Sequence, residues 1–223
     1  QPALLAAGVA VWRAWRAAGG AIPSRLAGHS LGEYTALVAA GAISLHDAAH
    51  LVRIRGQAMQ AAAPEGIGAM AAVLGADDAL VDEVCREASS EHVVVPANYN
   101  SPGQIVIGGH AAAFDRAIAL LLARGARKVV TLAVSVPSDT PLMRQLGDRL
   151  VEAMSAYHWR EPAIPVVQNV DASVHRGVAA IKDALARQLY LPVRWTGCVA
   201  ALASAGATRI AEWSRGLTAT RQC

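Results

Sequence analysis

The chain has 223 residues, of which 54 % are hydrophobic and 17 % charged, and this length suits one large domain or a domain with a smaller insert. No uncharged apolar run approaches the ~20 residues that span a bilayer, and the formal net charge of +3 comes from scattered arginines, so neither membrane insertion nor nucleic-acid binding is expected. The widely spaced Cys85, Cys198 and Cys223 fit neither a disulfide framework nor a zinc site, which makes a reducing cytoplasm the expected location.

The first third of the chain has the apolar spacing of helices around one short strand. A helix ends at Gly19-Gly20, a strand runs into a turn at Ser30, and Ser44 with Asp47 forms a helix start. The predicted elements are a helix at 4–18, a short strand within 24–30, and helices at 31–40 and from 44 to Pro64.

From residue 66 the pattern changes to alternating strands and helices. The order is βαββαβ, which is the ferredoxin-like unit, and Asn-Ser-Pro-Gly at 100–103 supplies a hairpin turn. The predicted elements are strands at 69–74, 93–98, 104–107 and 129–134, with helices at 77–89 and 111–124.

Helical spacing returns beyond Pro137. The predicted elements are helices at 143–157, 178–190 and 196–205, with strands at 164–169 and 208–211. The pattern therefore predicts one α/β domain interrupted by a small inserted one.

Gly28-His29-Ser30-Leu31-Gly32 fits the G-x-S-x-G pattern of a nucleophile elbow, with the serine between a strand and a helix. Glycines permit a turn at which a side chain would clash, so Ser30 can project its hydroxyl into a cleft. The start of the helix then offers backbone N–H groups to an oxyanion. The alternative is a tight turn with an incidental serine.

The segment Gly28-His-Ser-Leu-Gly-Glu-Tyr34 resembles the elbow of malonyl transacylases and of polyketide-synthase acyltransferase domains. Further segments resemble motifs of this family in the same order, and together they cover nearly the whole chain. They are Arg55-Gly-x-x-Met59, Gly68-Ala-Met70, Asn98-Tyr-Asn-Ser-Pro-Gly-Gln104, Val134-Ser-Val-Pro137 and Arg187-Gln-Leu-Tyr-x-Pro-Val-x-Trp195. The discrete acyl-carrier-protein enzyme fits better than a polyketide-synthase domain.

The resemblance implies an α/β fold with a hydrolase-like parallel-sheet core at 1–65 and 137–223 and a ferredoxin-like subdomain at 66–136. It implies that a serine takes malonyl from malonyl-CoA as an ester and passes it to the phosphopantetheine thiol of acyl carrier protein, in cytoplasmic fatty-acid biosynthesis. No metal and no cofactor are expected, because malonyl-CoA is a substrate.

The resemblance also assigns the central site residues. Ser30 is the expected nucleophile, and the backbone N–H of Leu31 is an expected oxyanion donor. Arg55 is expected to hold the free carboxylate of malonyl, since a guanidinium can grip a carboxylate with two parallel hydrogen bonds.

The remaining candidates have supporting roles. His29 is expected to line the site rather than to transfer the proton, because neighbouring side chains on an elbow point apart. Asn98 and Asn100 would position the pantetheine thioester, with turn asparagines as the alternative interpretation. Gln188 matches a family residue that helps to orient the catalytic histidine.

The chain departs from the family at that histidine, because the V-P-x-H segment has Asp139 in its place. An aspartate is shorter than a histidine, and its ordinary pKa of ~3.9 makes it a weak base toward a serine hydroxyl. Its charge also lies beside a site for an acidic substrate and can pair with Arg55. Strongly reduced transfer is the expected result.

The two ends also depart from the family. The family begins with a strand and a G-Q-G loop before the region that matches Gln1, so the resemblance implies that the core is incomplete at both ends. The match stops at Trp213, and a reading-frame slip near the end of the gene is one hypothesis for the divergent tail.

Two other functions stay open at this point. The elbow also permits a serine hydrolase or thioesterase, which would need a downstream histidine, and His158 and His175 are the histidines that follow Asp139. A non-catalytic carrier-protein-binding homologue is the other alternative, with Asp139 marking lost chemistry.

Overall fold

The computed structural model describes residues 1–61, 68–132 and 138–212, in which helices pack around two sheets in an α/β arrangement. The helices are α1 (Pro2–Ala17), α2 (Leu31–Ala39), α3 (Leu45–Ala61), α4 (Asp78–Ala88), α5 (Ala111–Ala123), α6 (Arg144–Ser155), α7 (Val178–Gln188) and α8 (Trp195–Ser204), with a 3-10 turn at Pro141–Met143. The strands are β1 (Leu26–Ala27), β2 (Gly68–Leu74), β3 (Val94–Ser101), β4 (Gln104–His110), β5 (Lys128–Thr131), β6 (Val166–Gln168) and β7 (Ser173–Val174).

The first sheet has the order β1-β6-β7, with β1 parallel to β6 and β7 antiparallel to β6. Leu26 pairs with Val166, which brings the segment before Ser30 beside the segment that ends at Gln168. Apolar side chains of α1, α2, α3, α6 and α7 fill one core around this sheet. The carboxyl ends of β1 and β6 therefore lie together, at the edge where parallel sheets place their ligands.

The second sheet is antiparallel and has the order β3-β4-β2-β5. Helices α4 and α5 pack against it over a separate core that includes Val84, Ile105 and Leu121. The side chain of Asp77 caps α4 by accepting a hydrogen bond of 2.8 Å from the N–H of Leu80.

Backbone hydrogen bonds join β3 to the segment before α8. Tyr99 donates to the carbonyl of Val193 across 2.9 Å, and Val193 donates to the carbonyl of Ala97 across 2.8 Å. This contact holds Asn98 and Asn100 of the second sheet at the edge of the first, so both sheets contribute side chains to one site.

Most predicted helices and strands lie within a few residues of their expected positions. The predicted strand at 208–211 is wrong: this segment pairs with no strand among the described residues, and the large apolar side chain in it, Ile210, is 56 % exposed. A strand without buried side chains or a pairing partner gains little stability. The two-residue strand β7 was not predicted.

Some sequence predictions lie outside the described residues, namely the helix break at Pro64, the end of the strand at 133–134, the segment Val134-Ser-Val-Pro137 and the tail from Trp213. Within the described ranges, no helix is both long enough and apolar enough to cross a membrane.

Candidate active site

Ser30 lies at a sharp corner between β1 and α2, with φ of 49° and ψ of −106°. A side chain at Gly28 would place its Cβ 2.0 Å from the carbonyl carbon and oxygen of Gly32, so the corner closes only around a glycine. Leu31 is the first residue of α2, and the N–H groups of a first helical turn have no partner within the helix. The elbow therefore presents a hydroxyl and backbone donors on one side.

Arg55 reaches this hydroxyl from α3 and is only 2 % exposed. Its Nη2 donates to Oγ of Ser30 across 3.0 Å, and its Nη1 donates to Oε1 of Gln1 across 2.9 Å. The guanidinium also lies 5.6 Å from the ring centre of Tyr34. A buried cation that contacts the hydroxyl at this corner can hold a group with a negative charge.

Asp139 is 5 % exposed and has a positive φ of 59°. Its Oδ2 accepts a hydrogen bond of 2.8 Å from Nδ2 of Asn98, and its Oδ1 has no hydrogen-bond partner among the described residues. Burial raises the pKa of Asp139 to about 6, although the nearby Arg55 cation and the Asn98 hydrogen bond oppose this shift. The carboxyl group is thus ionised at neutral pH and lies within the field of the arginine.

His29 contacts β3 and α8. Its Nε2 lies 2.8 Å from Oδ1 of Asn100, and its ring makes an edge contact with Trp195 at 5.6 Å between centres. Burial lowers the pKa of His29, so the imidazole is neutral at neutral pH. These contacts place the imidazole against β3 and α8.

Three buried polar side chains tie the elbow to the strands and helices beneath it. The N–H of Ser30 donates to Oδ1 of Asn169 across 2.7 Å, and Nε2 of Gln188 donates to the carbonyl of Ser30 across 3.2 Å. Glu33, which is fully buried, accepts from Nε2 of Gln188 across 2.7 Å and from the N–H of Asn169 across 2.9 Å. Asn169, Gln188 and Glu33 thus form a hydrogen-bonded layer beneath Ser30, which we call the floor of the site.

The structure brings most of the predicted site residues into contact. Hydrogen bonds join Ser30 to both Arg55 and Gln188. Nη2 of Arg55 also donates to Oε1 of Gln188 across 3.4 Å. The other pairs are Asn98 with Asp139 and His29 with Asn100.

Sequence reasoning gave no role to Gln1, Glu33 or Asn169. The position of Asn169 could have been recognised, because it follows β6 at the carboxyl end of a parallel pair. Glu33 was part of the segment that resembles the elbow motif, but its carboxyl group was given no role. Gln1 had no local signal.

Residues 1–214 match the acyl transferase domain family. The malonyl CoA-acyl carrier protein transacylase of Salmonella typhimurium is 48 % identical over 220 residues, which are 99 % of this chain and 71 % of that protein. The Escherichia coli K12 protein of the same name is 49 % identical over the same shares.

Two solved structures have the same fold. The malonyl-CoA:acyl carrier protein transacylase of Xanthomonas oryzae pv. oryzae is 72 % identical, with a TM-score of 0.94 over 97 % of this chain and 69 % of that one. A malonyl-transacylase solved in complex with its type II PKS acyl-carrier protein is 48 % identical, with a TM-score of 0.90 over 92 % of this chain and 67 % of that one. The chain belongs to the malonyl-CoA:acyl-carrier-protein transacylases of the acyl transferase domain family.

Proposed function

We propose that this chain transfers a malonyl group from coenzyme A to the phosphopantetheine thiol of an acyl carrier protein, through an ester on Ser30, in fatty-acid biosynthesis. The observation that carries this proposal is the contact of 3.0 Å between Arg55 and the Ser30 hydroxyl, at a strand-to-helix corner. A nucleophile beside a buried cation suits an acyl group that carries its own carboxylate.

The free carboxylate of malonyl is the group by which this site would distinguish malonyl-CoA from acetyl-CoA. Arg55 has five N–H donors, and a guanidinium binds a carboxylate through two parallel hydrogen bonds. Acetyl-CoA has the same thioester but no free acid group, so it would leave the buried guanidinium without this partner. The arginine therefore favours malonyl over acetyl.

The chemistry divides into two similar transfers. Oγ of Ser30 attacks the thioester carbonyl, the C–S bond breaks, and the coenzyme A sulfur leaves with the proton lost by the hydroxyl. The carrier-protein thiol then attacks the seryl ester, the C–O bond to Ser30 breaks, and the hydroxyl regains a proton. The N–H of Leu31 is the proposed donor to the tetrahedral oxygen in both steps.

Asp139 is the proposed proton acceptor, and it makes both steps slow. Its pKa of about 6 is higher than usual for a carboxyl but still gives a weak base for a serine hydroxyl. Its negative charge also competes with malonyl for Arg55. We expect the transfer to be much slower than with an imidazole at this position.

The supporting residues have proposed roles as well. Asn100 and His29 hold one another at 2.8 Å beside Trp195, which suits a wall along the pantetheine arm. Asn98 holds the Asp139 carboxylate, so it would orient the base as well as the thioester.

We infer a ferredoxin-like subdomain at 66–136 inserted into a hydrolase-like core at 1–65 and 137–223. The antiparallel order β3-β4-β2-β5 with α4 and α5 on one face supports the first part, and the parallel β1-β6 pair beside the elbow supports the second. No cofactor is proposed, and the cytoplasmic location stays a prediction.

A direct experiment tests the function. The purified chain is mixed with malonyl-CoA and its intact mass is followed; a malonyl adduct mapped to Ser30, which disappears when holo acyl carrier protein is added, supports the proposal. Acetyl-CoA and the Ser30→Ala variant serve as controls. Absence of an adduct on both the parent chain and Asp139→His would contradict the proposal.

Asp139 itself favours one alternative, a homologue that binds the carrier protein without catalysing transfer. Carrier-protein titration in the absence of any adduct would support it. A serine hydrolase finds less support, because His158 is exposed beside Arg160 and His175 pairs with Asp171 at 2.9 Å. His175 also lines a surface cavity of about 470 Å³ with Arg25, which precedes β1 and so lies at the end of that strand remote from Ser30.

A further inference from the structure

The floor of the site contains a carboxyl group that no step of the transfer uses. Glu33 is fully buried three residues after Ser30, and its Oε2 accepts both hydrogen bonds that the group receives from Asn169 and Gln188. Its Oε1 has no partner in the described part of the chain. Burying a carboxyl group is unfavourable, so its presence directly beneath the nucleophile requires an explanation.

We propose that Glu33 is a positioning residue, which fixes the strained backbone of Ser30 through Asn169 and the direction of the Arg55 guanidinium through Gln188. The proposal rests on the transfer function given above, since it assigns a cause to the geometry of that same site. Glu33 itself does not touch the reacting atoms.

The connection to Ser30 runs through Asn169. Oδ1 of Asn169 accepts from the N–H of Ser30, while its Nδ2 donates across 2.9 Å to the carbonyl of Gly28, so one side chain spans the corner. The left-handed φ of Ser30 persists only if its surroundings hold it there. Glu33 supplies part of this restraint by accepting the backbone N–H of Asn169.

The connection to Arg55 runs through Gln188. A carboxylate oxygen accepts hydrogen bonds, so the amide NH₂ of Gln188 must face Glu33, and its carbonyl oxygen is left to face Nη2 of Arg55 at 3.4 Å. Without an acceptor at position 33, the amide could turn over and place donors against donors. Glu33, together with the carbonyl of Ser30, thereby sets which end of Gln188 meets the arginine.

Two variants separate shape from charge. Glu33→Gln keeps an oxygen that can accept both hydrogen bonds and places its NH₂ at the position of the unpartnered Oε1. Glu33→Leu keeps the approximate volume but removes the acceptor. Val84→Ala is the matched control, because it shortens a fully buried side chain in the other core and so lowers stability away from the site.

Each substitution is made both in the parent chain and in the Asp139→His variant. Two quantities are then measured on every protein. The first is the rate at which Ser30 acquires malonyl from malonyl-CoA over a range of concentrations. The second is amide hydrogen exchange of the peptide that covers 28–34. We expect Glu33→Leu to lower kcat and raise KM, slowing acylation about 10- to 100-fold, and to speed exchange in that peptide. Glu33→Gln should remain within about threefold of its parent.

The proposal is overturned if Glu33→Leu acylates at the parent rate with unchanged exchange at 28–34. It is also overturned if Val84→Ala lowers the melting temperature as much as Glu33→Leu does and slows acylation by the same factor, since general loss of stability would then explain both effects. If neither the parent chain nor Asp139→His acquires malonyl, the transfer function fails, and exchange at 28–34 still decides whether Glu33 holds the elbow.

Discussion

The Nη2 group of Arg55 donates a hydrogen bond to Oγ of Ser30 across 3.0 Å, which places the cation and the nucleophile in one site. Gln188 contacts both residues, because its amide NH₂ donates to the carbonyl of Ser30 and its amide oxygen accepts from the guanidinium. A donor on the hydroxyl oxygen also favours the alkoxide that forms during attack. The proposed function therefore gives the arginine two tasks, to hold the acid group of malonyl and to stabilise negative charge on the serine.

Replacing Arg55 tests the first task. Arg55→Ala should lower kcat/KM for malonyl-CoA by about 30-fold or more, as expected when one member of a buried charge pair is removed at a loss of about 2–5 kcal/mol. Arg53→Ala is the control, because Arg53 is exposed two positions earlier on the same helix. Steady-state kinetics with malonyl-CoA measure both, and equal losses for the two variants would contradict the assignment.

Replacing Asp139 tests the base. Asp139→His should raise the acylation rate of Ser30 by about 100-fold or more, within the range of ~10²–10⁴ for general base catalysis. Asp139→Asn is the control, since it keeps the shape and removes the basic group. Rapid-quench mass spectrometry gives the rates, and an Asp139→His rate equal to that of the parent chain would show that the carboxylate is not the limiting defect.

Glu33 should make stability depend on pH. Burial raises its pKa from 4.5 to about 7, so the folded chain keeps a proton that the unfolded chain has lost between these values. The stabilisation is fully present below about pH 4.5 and is lost as the pH rises through about 7, an effect of roughly 3 kcal/mol. The contribution of Asp139 to stability changes with pH in the same direction, because its pKa is raised from 3.8 to about 6.

Denaturant unfolding of the parent chain and Glu33→Gln from pH 4 to pH 8 isolates this contribution. As the pH rises, the free energy of unfolding of Glu33→Gln should increase relative to that of the parent, because the neutral amide has no proton to lose. Glu152→Gln, an exposed position on α6, should run parallel to the parent. A constant difference between the parent and Glu33→Gln across this range would argue against a perturbed carboxyl group.

The two glycines of the elbow should behave differently. Gly28→Ala places a Cβ 2.0 Å from the backbone of Gly32, so we expect it to reduce the free energy of unfolding by about 3 kcal/mol or more. A Cβ at Gly32 meets no atom within 4 Å outside its own helical turn, and Gly32→Ala should stay within about 1 kcal/mol of the parent. Chemical denaturation of both variants is the measurement, and equal losses would contradict the contact.

Local sequence patterns were sufficient for most helices and strands, because their causes lie within a few residues of one another. The apolar spacing of α6, the Asp77 cap of α4 and the turn before β4 are all of this kind. The wrong strand at 208–211 shows the limit of such patterns, because a strand also needs a partner and nothing nearby in the sequence specifies one.

Ser30, Arg55 and Asp139 could be proposed as site residues from the sequence because they lie in motifs that resemble those of the family. The sequence by itself determined the family, the strand-to-helix corner at Ser30 and the presence of an aspartate where the resemblance expects a histidine. Only the tertiary structure decided that Asn169, Glu33 and Gln188 lie beneath that corner. Glu33 and Asn169 are 136 positions apart and meet only because β6 lies beside β1, so no local pattern could have joined them.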